Sequence, residues 1–392
     1  MYEGLIRSMT RRNFFTGVAS GAAAAVVAGG SASEADAALQ DAKTPASQGL
    51  KYSQYLFSDL KDPISTTLKY MDSRPAAYFR GAHQIPGASI NMGWQVIKQG
   101  GYFMEKEGHY HLVDEYFAIL GAELPDVFSS FDAEVELWMG PEQEKHVITK
   151  PTFVFIPAGF QHCPLNFKKV NKPLLFQAIH LGPYFQKIQN GQWYGFLGPG
   201  KSMALWKGHP NWLAGPDPDL PESKPGSPPK YSQYLFSDLQ DSVSTMIKYM
   251  DPRPTAYFRG GHQIPGASIN MGWQVIKSPF LMEQVGHHHM VDEYFAILGA
   301  ELPDVFSSFD AEIELCMGPE EEKHVITKPT FVFIPKGFHH CPLNFKKVNK
   351  PILFQAIHLG PYFHEINQGR WVYFMGPGKA TANFGPPPKK SP

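Results

Sequence analysis

Two short stretches of this chain carry the residues best suited to chemistry. One reads His109-Tyr-His111, with Glu115 four residues on; the other reads His287-His-His289, with Glu293. Residues 109, 111 and 115 share parity, so an extended chain sends all three side chains to one face. Two imidazoles and a carboxylate on one face are the converging nitrogen and oxygen donors that a divalent cation needs. A fourth donor follows in each half. Pro157-Ala-Gly159-Phe-Gln-His162 and Pro335-Lys-Gly337-Phe-His-His340 each place a histidine just after a Pro-Gly turn. Such a turn reverses the chain, so His162 and His340 can start a strand facing the first group. Four protein donors leave about two places open on an octahedral ion, as a catalytic metal requires.

These donors recur because most of the chain is duplicated. Lys51-Tyr-Ser-Gln-Tyr-Leu-Phe-Ser-Asp-Leu60 returns unchanged at Lys230 to Leu239, and the run from Gly87 to Lys98 returns at Gly266 to Lys277. Roughly three positions in four match across the repeat, and each unit has the size of a domain rather than of a solenoid repeat. Within each unit the local signals are strand-like. Glu134 to Met139 alternates polar and apolar residues, while Tyr116 to Leu120, Phe153 to Ile156 and Leu174 to Ile179 are short β-rich runs bounded by Gly and Pro. No long amphipathic helix is visible, so two antiparallel β-barrels or sandwiches are expected, packed side by side.

At this point the spacing becomes specific. H-x-H followed by Glu, then P-x-G-x-x-H-x-x-x-N ending at Asn166 and Asn344, resembles the two signature motifs of the cupin superfamily. Both occur twice, in order. The resemblance implies an all-β fold of two tandem cupin (double-stranded β-helix, jelly-roll) barrels. It implies one metal site formed by His109, His111, Glu115 and His162, and another by His287, His289, Glu293 and His340. The chain departs from the pattern in its turns: the usual glycine before H-x-H is out of place, and Gly121 comes one position early.

The N-terminus reads Thr10-Arg11-Arg12-Asn13-Phe14-Phe15, then a mild Ala/Gly/Val stretch, then Ala35-Asp36-Ala37. This resembles a twin-arginine signal peptide with its processing site. The expected organisation is a signal over 1–37, cupin domain 1 over 38–200, a Pro/Gly-rich linker over 201–229, cupin domain 2 over 230–378 and a flexible tail over 379–392. The signal implies the twin-arginine export machinery as a partner and a periplasmic or secreted protein exported already folded, its metal chosen in the cytoplasm. One divalent transition metal per domain is expected. Mn or Fe is favoured, with Zn, Ni or Cu as alternatives. No apolar run is long enough for a membrane span in the mature protein. The net charge of -1 gives no pull toward nucleic acid. Homo-oligomer formation is left open. Three cysteines at these positions do not make a disulfide framework.

Other polar residues kept in both copies are candidates for substrate binding: Arg80 and Arg259, Gln95 and Gln274, Gln177 and Gln355. His83/His262 and His180/His358 are weighed beside them as orienting or second-sphere groups. Trp94/Trp273, Phe117/Phe295 and Phe155/Phe333 are expected to line the barrel interiors. Cys163 and Cys341 are expected to point away from the metal as buried thiols, and His288 and His339 to face outward. The bicupins that this chain resembles include manganese oxalate decarboxylases and oxidases and quercetinase-type dioxygenases. They imply a metalloenzyme, decarboxylase/oxidase or dioxygenase in type, acting on a small carboxylate, enol or aromatic diol, with Glu115 and Glu293 able to act as bases. The chain has no clear acidic lid of the oxalate decarboxylase kind. The alternatives are a non-catalytic exported binding protein, as storage-type bicupins illustrate, and a cupin isomerase or lyase.

Overall fold

The computed structural model describes residues 49–61, 77–195, 229–240, 256–374 and 382–385. The expected signal, and the expected linker apart from Pro229, lie outside them. In the first repeat the strands are β1 (Leu56–Phe57), β2 (Ala77–Arg80), β3 (Asn91–Ile97), β4 (Tyr102–Glu105), β5 (Glu115–Gly121), β6 (Ala133–Met139), β7 (Glu144–Ile148), β8 (Thr152–Ile156), β9 (His162–Val170), β10 (Leu174–His180), β11 (Gln186–Gln189) and β12 (Gln192–Gly195). The second repeat follows with β13 (Leu235–Phe236), β14 (Ala256–Arg259), β15 (Asn270–Ile276), β16 (Phe280–Glu283), β17 (His287–His288), β18 (Glu293–Gly299), β19 (Ala311–Met317), β20 (Glu322–Ile326), β21 (Thr330–Ile334), β22 (His340–Val348), β23 (Ile352–His358), β24 (His364–Asn367), β25 (Arg370–Phe374) and β26 (Ala382–Gly385). β26, the one described segment of the expected tail over 379–392, pairs antiparallel with β25.

Each repeat is a double-stranded β-helix. In the first, the six-stranded sheet β13-β8-β5-β10-β3-β2 opposes the four-stranded sheet β4-β9-β6-β7. From β3 to β10 the chain passes back and forth between these two sheets. The second repeat opposes β1-β21-β18-β23-β15-β14 to a sheet built on β20-β19-β22-β17-β24-β25-β26, with β16 also on β22. The architecture expected from the motifs is the one observed: all-β, with two tandem cupin-type barrels.

The burial patterns explain why the strands read differently. β5 and β8 are buried throughout because their sheet is covered on both sides. One face lines its own barrel, where Phe117, Ile119, Val154, Ile156, Leu174 and Phe176 pack with the four-stranded sheet. The other face meets the second repeat in a shared core containing Met92, Trp94, Tyr116, Phe153, Phe258, Trp273 and Phe331. β19 sits in an outer sheet with one wet face, and its burial alternates strictly.

That seam corrects part of the interior that the sequence suggested. Phe117 and Phe295 do line barrels, but Trp94, Trp273, Phe155 and Phe333 belong to the shared core. Phe79 stacks on Phe331 and Phe153 on Phe258, with ring centroids 4.0 and 4.1 Å apart. Polar atoms within the seam are paired across it. Tyr116 and Tyr294 hydroxyls accept the amides of Ser268 and Ser89, both at 2.8 Å.

The barrels also exchange edges. β1, from the first repeat, pairs with β21, and β13, from the second, pairs with β8. Tyr52 accordingly sits in the core of the second barrel and Tyr231 in that of the first. Gly140, at φ 75°, has no room for a Cβ: one built there would lie 2.3 Å from the Tyr231 ring. Glu142 and Glu144 clasp the same segment, accepting from the Tyr231 hydroxyl at 2.6 Å and from the amides of Lys230 and Tyr231 at 2.8 Å. A boundary at residue 230 therefore divides the sequence but not the barrels.

Candidate metal centre

Each donor cluster forms where the two sheets of a barrel meet. His109 bridges antiparallel to His162, the first residue of β9, through paired backbone hydrogen bonds of 3.0 Å. On its other side the same segment is held by Tyr110, which exchanges backbone hydrogen bonds with Ile188 of β11. The chain then leaves this sheet, and Glu115 opens β5 in the other. The three donors thus do not share one strand face, as their parity suggested. They converge because the chain crosses between sheets at residues 112–114. The Pro-Gly turn is tied to this crossing: the Gly159 amide donates to His111 O at 2.7 Å and the Ala158 amide to Asp114 Oδ1 at 3.0 Å.

The donor atoms of His109, His111, Glu115 and His162 all lie within 4.8 Å of one another, and all four residues are buried. Glu115 Oε2 is 3.2 Å from His111 Nε2 and 2.8 Å from His162 Nε2. In the second repeat Glu293 Oε2 is 3.2 Å from His289 Nε2 and 2.8 Å from His340 Nε2. There the donors group as His289, Glu293 and His358 and as His287, His340 and Cys341. The ring tautomers suit ligation. Nδ1 of His109, His111 and His162 faces the backbone carbonyls of Glu107, Gln186 and Phe160, and that of His287, His289 and His340 faces those of Val285, His364 and Phe338. An Nδ1–H donated to a carbonyl leaves Nε2 with its lone pair. Apart from their contacts with one another, Nε2 of His111, His162, His289 and His340 and Oε2 of both glutamates are buried with no hydrogen-bond partner among the described residues. Native proteins rarely strand so many polar atoms together, and a divalent cation would satisfy all of them. The residues therefore fit a metal.

Electrostatics agree. Burial alone would push the Glu115 carboxyl up, but His111, His180 and His162 pull it well below the usual carboxylate range, and His289, His358 and His340 do the same to Glu293. Burial and the neighbouring His162 hold His109 well below the usual imidazole range, so it stands neutral and ready to ligate.

One residue of the cluster was underweighted in the sequence. His180 lies opposite Glu115 in the β10–β5 register, with Nε2 2.8 Å from Glu115 Oε1; His358 stands likewise to Glu293. Beyond it the same register runs through Asn91 to Arg80, and through Asn270 to Arg259. A buried polar row thus crosses each six-stranded sheet from the donor cluster to its edge strand.

The remaining candidates separate by face. Gln95 and Gln274 share the barrel-facing side of their strands with Ile97 and Ile276. Gln177 and Gln355 do not join either cluster. They lie in the seam, where Gln177 Oε1 accepts from Trp273 Nε1 at 2.5 Å and Gln355 Oε1 from Trp94 Nε1 at 2.6 Å. Neighbours on a strand point to opposite faces, so Gln177 and His180 cannot both face the barrel. Cys163 and Cys341 are buried thiols in the barrel cores, as expected, but Cys341 does not point away from the donors, for it approaches His287 and His340. A bulge opposite Leu137–Met139, with Cys163 at φ 68°, breaks the alternation there. Burial pushes both thiols well up, and all three cysteines are free. His288 and His339 are half-buried and outside the donor sets. His83 and His262 pack on Tyr184 and Tyr362, with ring centroids 4.7 Å apart.

The surroundings of the two centres differ in charge. In the first, Lys187 is 2% exposed and its Nζ lies 3.1 Å from Glu105 Oε2. In the second, Glu283 and Glu365 occupy the equivalent places. Burial, with Glu365 and Glu293 nearby, pushes Glu283 from 4.5 up to about 7. A carboxyl raised in the fold contributes stability that is full below about 4.5 and lost as pH rises through about 7. Glu283→Gln is therefore expected to stabilise the metal-free protein at pH 8 by about 3 kcal/mol. The gain should fade toward pH 5, as thermal unfolding at both pH values will show; an equal gain at both contradicts it.

No protein-family model matches the chain, and no curated protein does. Among solved structures it is similar to a variant of Bacillus subtilis oxalate decarboxylase, at 10% identity and TM-score 0.49, over 80% of this chain and 79% of that one. It is also similar to a Lactobacillus farciminis oxalate decarboxylase formate complex, at 13% identity and TM-score 0.47, over 80% and 88% of the two chains. The assignment of cupin-type barrels and metal-capable clusters rests on the topology and donor geometry above. Among the described residues no helix is long and apolar enough to cross a membrane.

Proposed function

We propose that this protein is a metal-dependent enzyme that acts on a small oxygen-rich organic substrate, a carboxylate, enol or aromatic diol, by decarboxylation or oxidation. The observation that carries the reading is the set of imidazole Nε2 atoms, oriented by backbone carbonyls and aimed at an otherwise unpaired carboxylate oxygen. The three-nitrogen, one-oxygen donor set suits Mn or Fe, and Zn, Ni or Cu are its competitors. A bound divalent ion would supply Lewis acidity and open positions for substrate oxygens.

The chain's own residues then have distinct tasks. His109, His111, His162 and Glu115 hold the ion, as His287, His289, His340 and Glu293 do in the second centre. Glu115 Oε1 stays ionised against His180 Nε2 at 2.8 Å, a contact that fixes the carboxylate in the donor cluster. Gln95 and Arg80 present polar atoms from the same barrel face, while the apolar core about Phe117 and Phe176 keeps water from the buried side.

The test is CO2 release and oxygen uptake over a panel of small carboxylates and diols. Metal-loaded protein is compared with a His109→Ala, His287→Ala double variant. Turnover that disappears in the variant supports the reading. Two bound ions per chain with no turnover of any panel member would favour a binding protein instead.

A further inference from the structure

The duplication provides an internal control for chemistry. Around the donors most residues are kept, and among the exchanges the one reversal of charge stands out. Gly182-Pro-Tyr-Phe-Gln-Lys187-Ile of the first repeat becomes Gly360-Pro-Tyr-Phe-His-Glu365-Ile in the second. The side chain at this place belongs to the strand that also holds the donors: β11 backbone engages Tyr110 and His111, and β24 pairs with β17. Lys187 acts electrostatically on His109, His111 and Cys163, and Glu365 on His289, Glu293 and Cys341. Opposite each stands a glutamate common to both repeats. Glu105 is neutralised by Lys187, whereas Glu283 faces a second carboxylate.

The two centres therefore cannot treat a charged ligand alike. Three neutral imidazoles and one carboxylate around a divalent ion leave one positive charge in either centre. The Glu105–Lys187 pair preserves it in the first. The second centre has two acids and no base at these places, so any charge that they carry offsets it there. Lys187 is buried and its three acidic counterparts are half-buried, where charges are screened less than at the open surface. We propose that Lys187 makes the first centre the one that accepts anionic ligands, and that Glu365 closes the second to them. This rests on the reading that both clusters hold a divalent ion, and it names anions as the substrate class of the first.

The test uses full-length protein loaded with cobalt(II), whose visible spectrum reports changes in coordination, and azide as the anionic probe. His287→Ala leaves only the first centre competent, and His109→Ala only the second. Azide should perturb the spectrum of the first with at least tenfold higher affinity than that of the second. Glu365→Lys in the His109→Ala background sets an acid–base pair beside Glu283, as the first repeat has naturally, and should recover most of the gap. Lys187→Met in the His287→Ala background should lose it. Equal azide affinities, or affinities unmoved by Glu365→Lys and Lys187→Met, would overturn the inference and leave the metal reading intact. Failure of both half-site variants to bind cobalt would overturn both.

Discussion

A His162→Ala, His340→Ala double variant is expected to emerge from dialysis nearly free of divalent metal, while the parent protein retains two ions per chain. Both histidines are fully buried at the first residue of β9 or β22, and each places Nε2 2.8 Å from the carboxylate of its cluster. Alanine removes a donor from a set that water can reach only poorly. The affinity of each centre should fall by more than the 10–100-fold typical of losing a supporting partner. His180→Ala provides the comparison, since it removes such a partner and leaves every proposed ligand. It should weaken the first centre by about tenfold. Elemental analysis and competitive chelation measure both variants. Full metal content in the double variant would contradict the proposed ligand set.

The second large effect concerns folding. Tyr52→Ala and Tyr231→Ala each remove a ring from the core of the opposite barrel, at a cost of about 3 kcal/mol apiece. Both changes act on the edges exchanged between repeats, so the pair should take away much of the stability of a domain. The double variant is expected to unfold at far lower urea concentration than either single one. The outer sheet β4-β9-β6-β7 should open together with the β13–β8 edge. Chemical denaturation followed by tryptophan fluorescence checks this. Two single variants with unchanged midpoints would show that the exchanged edges contribute little.

How much of this was legible in the sequence follows from how local each feature is. The proposed ligands lie in two compact motifs, so type and spacing sufficed to find them. Their convergence was attributed to strand parity, whereas the chain changes sheets between His111 and Glu115. His180 has no motif of its own. It reaches Glu115 through the register of β10 on β5, and strand pairing is not written in local spacing. The seam position of Gln177 is hidden for a related reason. β10 is buried on both faces, so its sequence shows no alternation to say which side is barrel and which is seam. The inward turn of Cys163 depends on a bulge that parity could not anticipate. Lys187 and Glu365 did leave a signal, an acid-for-base exchange between otherwise matching segments, and a comparison of repeats for their differences would have found it.

The exchanged edges also bear on where the chain came from. A single ancestral repeat carrying the Lys51–Leu60 sequence would find the acceptor for its first strand on another copy of itself, because that strand pairs with β21 and not with β8 of its own repeat. The reciprocal exchange of β1 and β13 is the contact that such a homodimer would need. Fusion of two genes would turn that encounter into an intramolecular one at high effective concentration. Only then could position 187 and its counterpart at 365 drift to opposite charge, since a true homodimer must carry the same residue at both centres.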